Sequence, residues 1–329
     1  MKIFVNIVAK GVLESFFPNE IRKKLKSIGE IEYNTTDHAF CGQELATALK
    51  GADILITGWN QPLIRKEDLG DIKLIVHTGG SVGGIVDLSV FDTDVKVISG
   101  NNYYAESVAE GTLSYILMAL RRMGECSDLL KSGIWNPLHN EGLFDKTVGI
   151  VSLGSISRKL IPMLKMFRTK IKVYSKIEID YAFAEKMGYE YDSLENIFKT
   201  CDIVTVHTAK KPETNNMIND KHFKLLKKGA LFVNTSRGSV IDEQALIENL
   251  KENRFHAVLD VYQHEPLAPE SELLKLDNVI LFPHMGGPTY DRRKFITSFL
   301  IDDAVEFFSG GELKNLITKK QAENMTVIG

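Results

Sequence analysis

Residues suited to chemistry concentrate in one turn near the middle of the chain and in three short segments beyond it. The turn, Ser152-Leu153-Gly154-Ser155-Ile156-Ser157, joins the apolar run Val148–Ser152 to a helix-period stretch over Arg158–Phe167. A strand, a tight turn and a helix start bring free backbone N–H groups together, and the helix dipole adds to them. Such a turn suits a pyrophosphate. The familiar spacing is G-x-G-x-x-G. Here Ser152 and Ser157 occupy the outer positions and only Gly154 remains, so an ordinary βα turn is the competing reading. Serine is small enough for the backbone at Gly154, Ser155 and Ile156 still to approach phosphate oxygens. Pro162 inside the following helix is expected to kink it.

About 20 residues further on, the same fingerprint calls for an acid to accept the ribose hydroxyls of NAD. The strand Ile171–Tyr174 ends instead in Ser175-Lys176. A hydroxyl and a cation suit a 2′-phosphate, which tilts the expected NAD(P) cofactor from NAD towards NADP. The plainer alternative is that Lys176 is a surface lysine.

The three later segments are Asn234-Thr235-Ser236-Arg237-Gly238, Asp260-Val261-Tyr262-Gln263-His264-Glu265-Pro266 and Pro283-His284-Met285-Gly286-Gly287. In this order they resemble the D-isomer-specific 2-hydroxyacid dehydrogenase family. The resemblance runs over essentially the whole chain and includes Ser107–Leu113 and Pro212-Glu213-Thr214. It implies hydride exchange between NAD(P)H and a small 2-keto or D-2-hydroxy acid. His284 would be the general acid/base, because an imidazole titrates near working pH. Glu265 would hold the other ring nitrogen and raise the histidine's pKa. Arg237 would bind the substrate carboxylate and polarise the keto oxygen through a planar guanidinium. Asp260 would face the nicotinamide carboxamide, with Thr208, Thr214, Thr235, Ser236 and Gly286 along the cofactor. His207 and His264 are expected to be structural or exposed. Glutamate rather than glutamine beside the histidine argues against the formate dehydrogenase branch; phosphite oxidation uses a similar trio.

On the substrate side, the resemblance assigns the backbone amides of Gly79, Gly80 and Ser81 to the substrate carboxylate, and glycine permits that close approach. Trp59 reads either as a wall for an apolar or aromatic substrate side chain or as simple packing. Basic residues that phosphorylated substrates need are missing from Gly58–Pro62. Tyr103-Tyr104 precede the first long helix, and Tyr104 stands where relatives commonly carry asparagine.

These residues need a rigid frame, and the frame is legible. β-rich runs at Ile3–Val8, Ile54–Thr57, Leu74–His77, Val95–Ser99, Val148–Ser152, Ile171–Tyr174, Ile203–His207, Leu231–Asn234, Ala257–Asp260 and Val279–Phe282 alternate with helical patterns. That alternation predicts an α/β fold. A Rossmann-type, doubly wound parallel sheet is expected over 102–288 as the dinucleotide-binding domain. A smaller discontinuous flavodoxin-like α/β substrate domain is expected from 1–101 and 289–329. Two long helices, near Ala105–Arg122 and from Thr289 to about Ser309, would join them, with the active cleft between. A loop with Trp135, Asn136 and Pro137 follows the first.

The chain of 329 residues has 44% hydrophobic and 25% charged residues and a formal net charge of −3, which leaves no basic footprint for nucleic acid. Cys41, Cys126 and Cys201 are scattered, against a disulfide framework or a metal site. The N-terminal apolar run is too short for a signal peptide, and no window reaches membrane-span length, so a cytoplasmic protein is expected. The resemblance adds a homodimer and no appended regulatory domain beyond Gly329. The rival from another class is a corepressor-like, catalytically inactive dinucleotide sensor, suggested by the degraded glycine turn.

Overall fold

The computed structural model describes residues 1–135, 138–176 and 179–327; Asn136, Pro137 and Gly329 lie outside them. The chain divides into two compact units, Met1–Tyr104 with Pro288–Gly329, and Ala105–Gly287.

The first unit holds five strands: β1 (Lys2–Asn6), β2 (Glu30–Tyr33), β3 (Ile54–Thr57), β4 (Leu74–His77) and β5 (Lys96–Ser99). All pair in parallel in the order β2-β1-β3-β4-β5. That order is the flavodoxin-like one. β3 and β4 are buried along their full length, which is why they read as continuous apolar runs rather than as alternations. Helices cover both faces. Phe16, Phe17, Leu25, Leu300 and Ile301 pack on one, and Leu45, Leu49, Val82 and Val90 on the other.

The second unit holds β6 (Thr147–Val151), β7 (Lys170–Tyr174), β8 (Tyr189–Tyr191), β9 (Ile203–Val206), β10 (Leu231–Asn234), β11 (His256–Leu259) and β12 (Val279–Leu281). Their order is β12-β11-β10-β9-β6-β7-β8, again all parallel. The direction of winding reverses between β6 and β9. Ligands in doubly wound sheets bind outside the carboxyl ends of the strands at such a point.

Several elements differ from expectation. β2 and β8 are edge strands of four and three residues, half exposed and carrying Glu30, Glu32 and Glu190. Short charged edges carry almost no hydrophobic signal. The helix after the phosphate turn starts at Ser155 and not at Arg158, with Gly154 as its N-cap, and it runs uninterrupted through Pro162 to Lys165. The first long helix is Asn101–Leu120, so Tyr103 and Tyr104 lie inside it rather than before it. Among the described residues, no helix is long and apolar enough to cross a membrane. No group of three His, Cys, Asp or Glu side chains there could hold a metal.

Candidate active site

In the Ser152–Ser157 turn, serines stand where the phosphate-binding spacing calls for glycines. Ser152 sits at φ +81°, a left-handed conformation costly for a residue with a Cβ. Two hydroxyls hold it there. The Ser152 Oγ shares a hydrogen bond with Thr208 Oγ1 at 2.8 Å, and the buried Ser157 Oγ donates to the Ser152 carbonyl at 2.6 Å. A Cβ added at Gly154 would meet nothing within 4 Å, so the space over the N-terminus of the helix Ser155–Lys165 is open. An open helix N-terminus at the switch point fits a pyrophosphate. Ser175 and Lys176 follow β7, half-buried and exposed respectively. Thr214 closes its own turn, donating to the Ala209 carbonyl at 2.8 Å and accepting from the Lys211 amide at 2.9 Å.

The remaining side chains of this unit leave the ends of β10, β11 and β12. After β10, Asn234 Oδ1 accepts from the Ser236 amide and hydroxyl, at 3.1 and 2.7 Å, and its Nδ2 donates to the Arg237 carbonyl at 3.2 Å. Thr235 pairs with Thr112 at 3.0 Å. The Arg237 guanidinium donates to the Ser236 carbonyl at 2.6 Å. Burial pulls its pKa down and the Glu265 carboxylate opposes that shift. Gly238 is required by contact: a Cβ there would lie 1.9 Å from the Tyr262 carbonyl carbon. The Arg237 and Glu265 segments therefore touch backbone to backbone.

Glu265 accepts from the Tyr262 amide at 3.0 Å through Oε1, and its Oε2 lies 2.6 Å from His284 Nδ1. That contact engages Nδ1 with the carboxylate, so Nε2 is the ring nitrogen not held by Glu265. His284 itself sits at φ +52°, with its side chain 47% exposed.

Asp260 anchors the residues that follow. Its two oxygens accept from the Met285 and Gly286 amides at 2.8 Å each, and Oδ1 also accepts from Tyr115 Oη at 3.3 Å. Burial raises its pKa against the pull of those two amides. A Cβ on Gly286 would crowd Asp260 Oδ2 at 2.7 Å, and one on Gly111 would approach the Gly286 carbonyl at 3.1 Å. Tyr115, Tyr262 and Thr112 escaped the sequence reading. Their only signal is a place on an apolar helix face or beside a motif, which many packing residues share. His207 is buried against Thr205 at 3.0 Å, with its pKa pulled down to about 3 by burial, and His264 is exposed.

In the first unit, the turn after β4 has its carbonyls tied inward. The Gly79 carbonyl accepts from the Gly100 amide at 2.9 Å, the Gly80 carbonyl accepts from Ser99 Oγ at 3.0 Å, and Ser81 Oγ donates to the Thr326 carbonyl at 2.7 Å. The amides of Gly79, Gly80 and Ser81 donate to no acceptor among the described residues. Successive free N–H groups of this kind form an anion cradle. Side chains have no room there, since a Cβ on Gly79 would lie 2.3 Å from His77 Nε2 and one on Gly80 3.1 Å from the Tyr104 ring. Trp59 packs edge-on against Phe16 and Tyr104, with ring centroids 5.4 and 6.3 Å apart.

A parallel sheet wound in both directions, with an open strand–turn–helix at its reversal and a His–Glu pair after its later strands, has the architecture of a nucleotide-binding α/β protein. Residues 113–286 match the family model described as D-isomer specific 2-hydroxyacid dehydrogenase, NAD binding domain, and the chain belongs to that family. It is 32% identical over 301 residues to D-3-phosphoglycerate dehydrogenase of Methanocaldococcus jannaschii, covering 90% of this chain and 56% of that one. The chain thus spans little more than half the length of that relative. It is 36% identical over 224 residues to glyoxylate reductase of Thermococcus litoralis, covering 65% of this chain and 67% of the relative. Among solved structures, an acyclic imino acid reductase in complex with NADPH and D-Arg shares the fold. Its TM-score is 0.78 at 23% identity, over 96% of this chain and 100% of that one.

Proposed function

We propose that the protein is an NAD(P)-dependent oxidoreductase that interconverts a small 2-keto acid and its D-2-hydroxy acid. The observation that carries this reading is the 2.6 Å contact of His284 Nδ1 with Glu265. It holds one nitrogen of a half-exposed imidazole against a carboxylate in a chain of this family. A nicotinamide cofactor, bound along the carboxyl ends of the second sheet, supplies or accepts the hydride. His284 Nε2 delivers a proton to the keto oxygen in reduction and removes it from the alcohol in oxidation. Glu265 keeps the ring oriented through its contact with Nδ1. Arg237, its charge poorly solvated, binds the carboxylate and draws electron density from the carbonyl. Gly79, Gly80 and Ser81 offer their free amides to the carboxylate of the acid.

For the cofactor, Gly154, Ser155 and Ile156 are assigned to the pyrophosphate, and Ser175 with Lys176 to a 2′-phosphate, favouring NADP. Thr208, Thr214, Thr235 and Ser236 have side chains engaged in internal hydrogen bonds, so their contribution is to shape the cofactor's bed. Asp260 is assigned to the nicotinamide carboxamide and Gly286 to the cofactor's bed, and Asp260 also holds the His284 segment through the Met285 and Gly286 amides. The inactive-sensor alternative loses its motive, because Ser152 and Ser157 build a closed turn rather than a decayed one. A homodimer and a cytoplasmic location complete the proposal. Met123, Leu130, Ile134 and Trp135 are exposed on or just after the helix Met123–Lys131, Trp135 at 88%, and an apolar surface of that kind suits pairing.

The test is loss of reduced-nicotinamide absorbance with NADPH and NADH against glyoxylate, hydroxypyruvate, pyruvate and phenylpyruvate. Turnover with any of them is expected, faster with NADPH. Cofactor binding without turnover on any acid would contradict the reading.

A further inference from the structure

Arg293, on the helix Tyr290–Phe308, carries a charge with no ion-pair partner among the described residues. Its guanidinium lies over three rings, 5.1 Å from the Trp59 centroid, 5.8 Å from Phe16 and 5.9 Å from Tyr290. Its hydrogen bonds are long, 3.4 Å to the Pro288 carbonyl and 3.3 Å to Ser15 Oγ. No Asp or Glu among the described residues pairs with it, although its neighbour Lys294 pairs with Glu20 at 2.9 Å. The charge is felt nearby: burial pushes the Tyr104 phenol up and Arg293 pulls it the other way. The Tyr104 phenol is buried and its ring lies edge-on to Trp59.

A half-buried guanidinium set among aromatic rings has lost much of its hydration and recovers it best from a planar anion. The cluster is also continuous with the anion cradle. Gly80 rests on the Tyr104 ring, Tyr104 on Trp59, and Trp59 on Arg293. An acid whose first carboxylate takes the amides of Gly79–Ser81 thus has an aromatic wall leading from that point to an uncompensated cation.

We propose that Arg293, walled by Trp59 and Tyr104, is a specificity-determining residue for the far end of the substrate, and that the preferred substrates are 2-keto acids with a second carboxylate on the side chain. The proposal rests on the assignment of Gly79–Ser81 to the first carboxylate. It also explains how a chain without basic residues at Gly58–Pro62 can favour an acidic side chain: the cation arrives from the C-terminal helix.

The experiment compares wild type, Arg293→Met and Arg293→Lys on three acids: glyoxylate, which has no side chain, 2-ketoglutarate, and its apolar isostere 5-methyl-2-oxohexanoate. Wild type is expected to prefer 2-ketoglutarate to the isostere. Arg293→Met should lose about 10- to 100-fold in kcat/KM on 2-ketoglutarate, the scale of one hydrogen-bonded charge pair, mostly through KM. Glyoxylate turnover should stay within about 3-fold, and Arg293→Lys should fall between. An unchanged ratio of 2-ketoglutarate to isostere in either variant overturns the proposal, and Arg293→Lys decides if Arg293→Met does not fold. A second measurement needs no turnover. Trp135→Phe leaves Trp59 as the lone tryptophan, and its fluorescence is titrated with 2-ketoglutarate in the presence of NADP+. Saturation abolished by Arg293→Met supports the subsite even if the reductase reading fails. No saturation in the Trp135→Phe protein overturns it even if glyoxylate is reduced.

Discussion

At the scale of single residues, two residues of the candidate site, His284 and Ser152, occupy backbone conformations that L-residues avoid, and each is held by a named partner. His284 at φ +52° is secured through Glu265 on its ring and through Asp260 on the next two amides. Removing the imidazole while keeping that frame should therefore separate chemistry from binding. His284→Ala is expected to lower kcat by about 100-fold or more, the usual weight of general acid catalysis. Its cofactor Kd should change by less than about 3-fold; equal losses in binding and turnover would point to collapse of the segment instead. Ser152 at φ +81° offers a cleaner test of strain. Ser152→Ala and Ser152→Gly both lose the bond to Thr208, but only glycine relaxes the backbone. The glycine variant should be the more stable of the two by about 1 kcal/mol in urea titration. Equal stabilities would mean that the φ value carries no cost.

At the scale of elements, the site is assembled by what happens just after β10, β11 and β12. Gly238 lets the first of these exits lie on the second, and Asp260 ties the third down. A methyl at Gly238 would have to displace the Tyr262 backbone, 1.9 Å away, and no flexible side chain is available to yield. Gly238→Ala is expected to cost about 3 kcal/mol or more, seen as a large drop in melting temperature or as insoluble protein. A stable, active variant would show that the two exits are not pressed together. The legible elements were those with both faces buried, such as β3 and β4. The edge strands β2 and β8 were not, because their pairing is satisfied by a neighbour while their side chains stay half in water.

At the scale of the whole molecule, pH enters through buried histidines. His77 and His207 are neutral in the fold, their pKa values pulled down by burial to about 4 and about 3. In the unfolded chain both titrate near 6.5, so below that pH the unfolded state binds more protons than the native one. Stability should therefore be fully present above about pH 6.5 and fall as pH drops. The pair together contributes a slope on the order of 2–3 kcal/mol per pH unit between about pH 6 and pH 4. Urea midpoints at pH 7, 6 and 5 measure it, and His207→Asn should flatten the curve. An unaltered slope in that variant would assign acid lability elsewhere.

Much of this protein follows from its sequence because the signals are local or period-bound. Buried parallel strands declare themselves as apolar runs, and the Arg237, Glu265 and His284 segments are each a few contiguous residues after such a strand. The Ser152–Ser157 turn shows the limit of such reading. Its missing glycines suggested decay, yet the hydroxyls of Ser152, Ser157 and Thr208 close the turn through a partner 56 residues away. The same limit hid Tyr115, which reaches Asp260 across 145 residues, and Arg293, which reaches Trp59 from the far end of the chain. Sequence alone determined the fold class, the family resemblance and the types of the reactive groups, because those depend on pattern and composition within a window. Only the tertiary structure decided which polar atoms are satisfied and which are left free, because a hydrogen bond or an unbalanced charge depends on what stands opposite it in space.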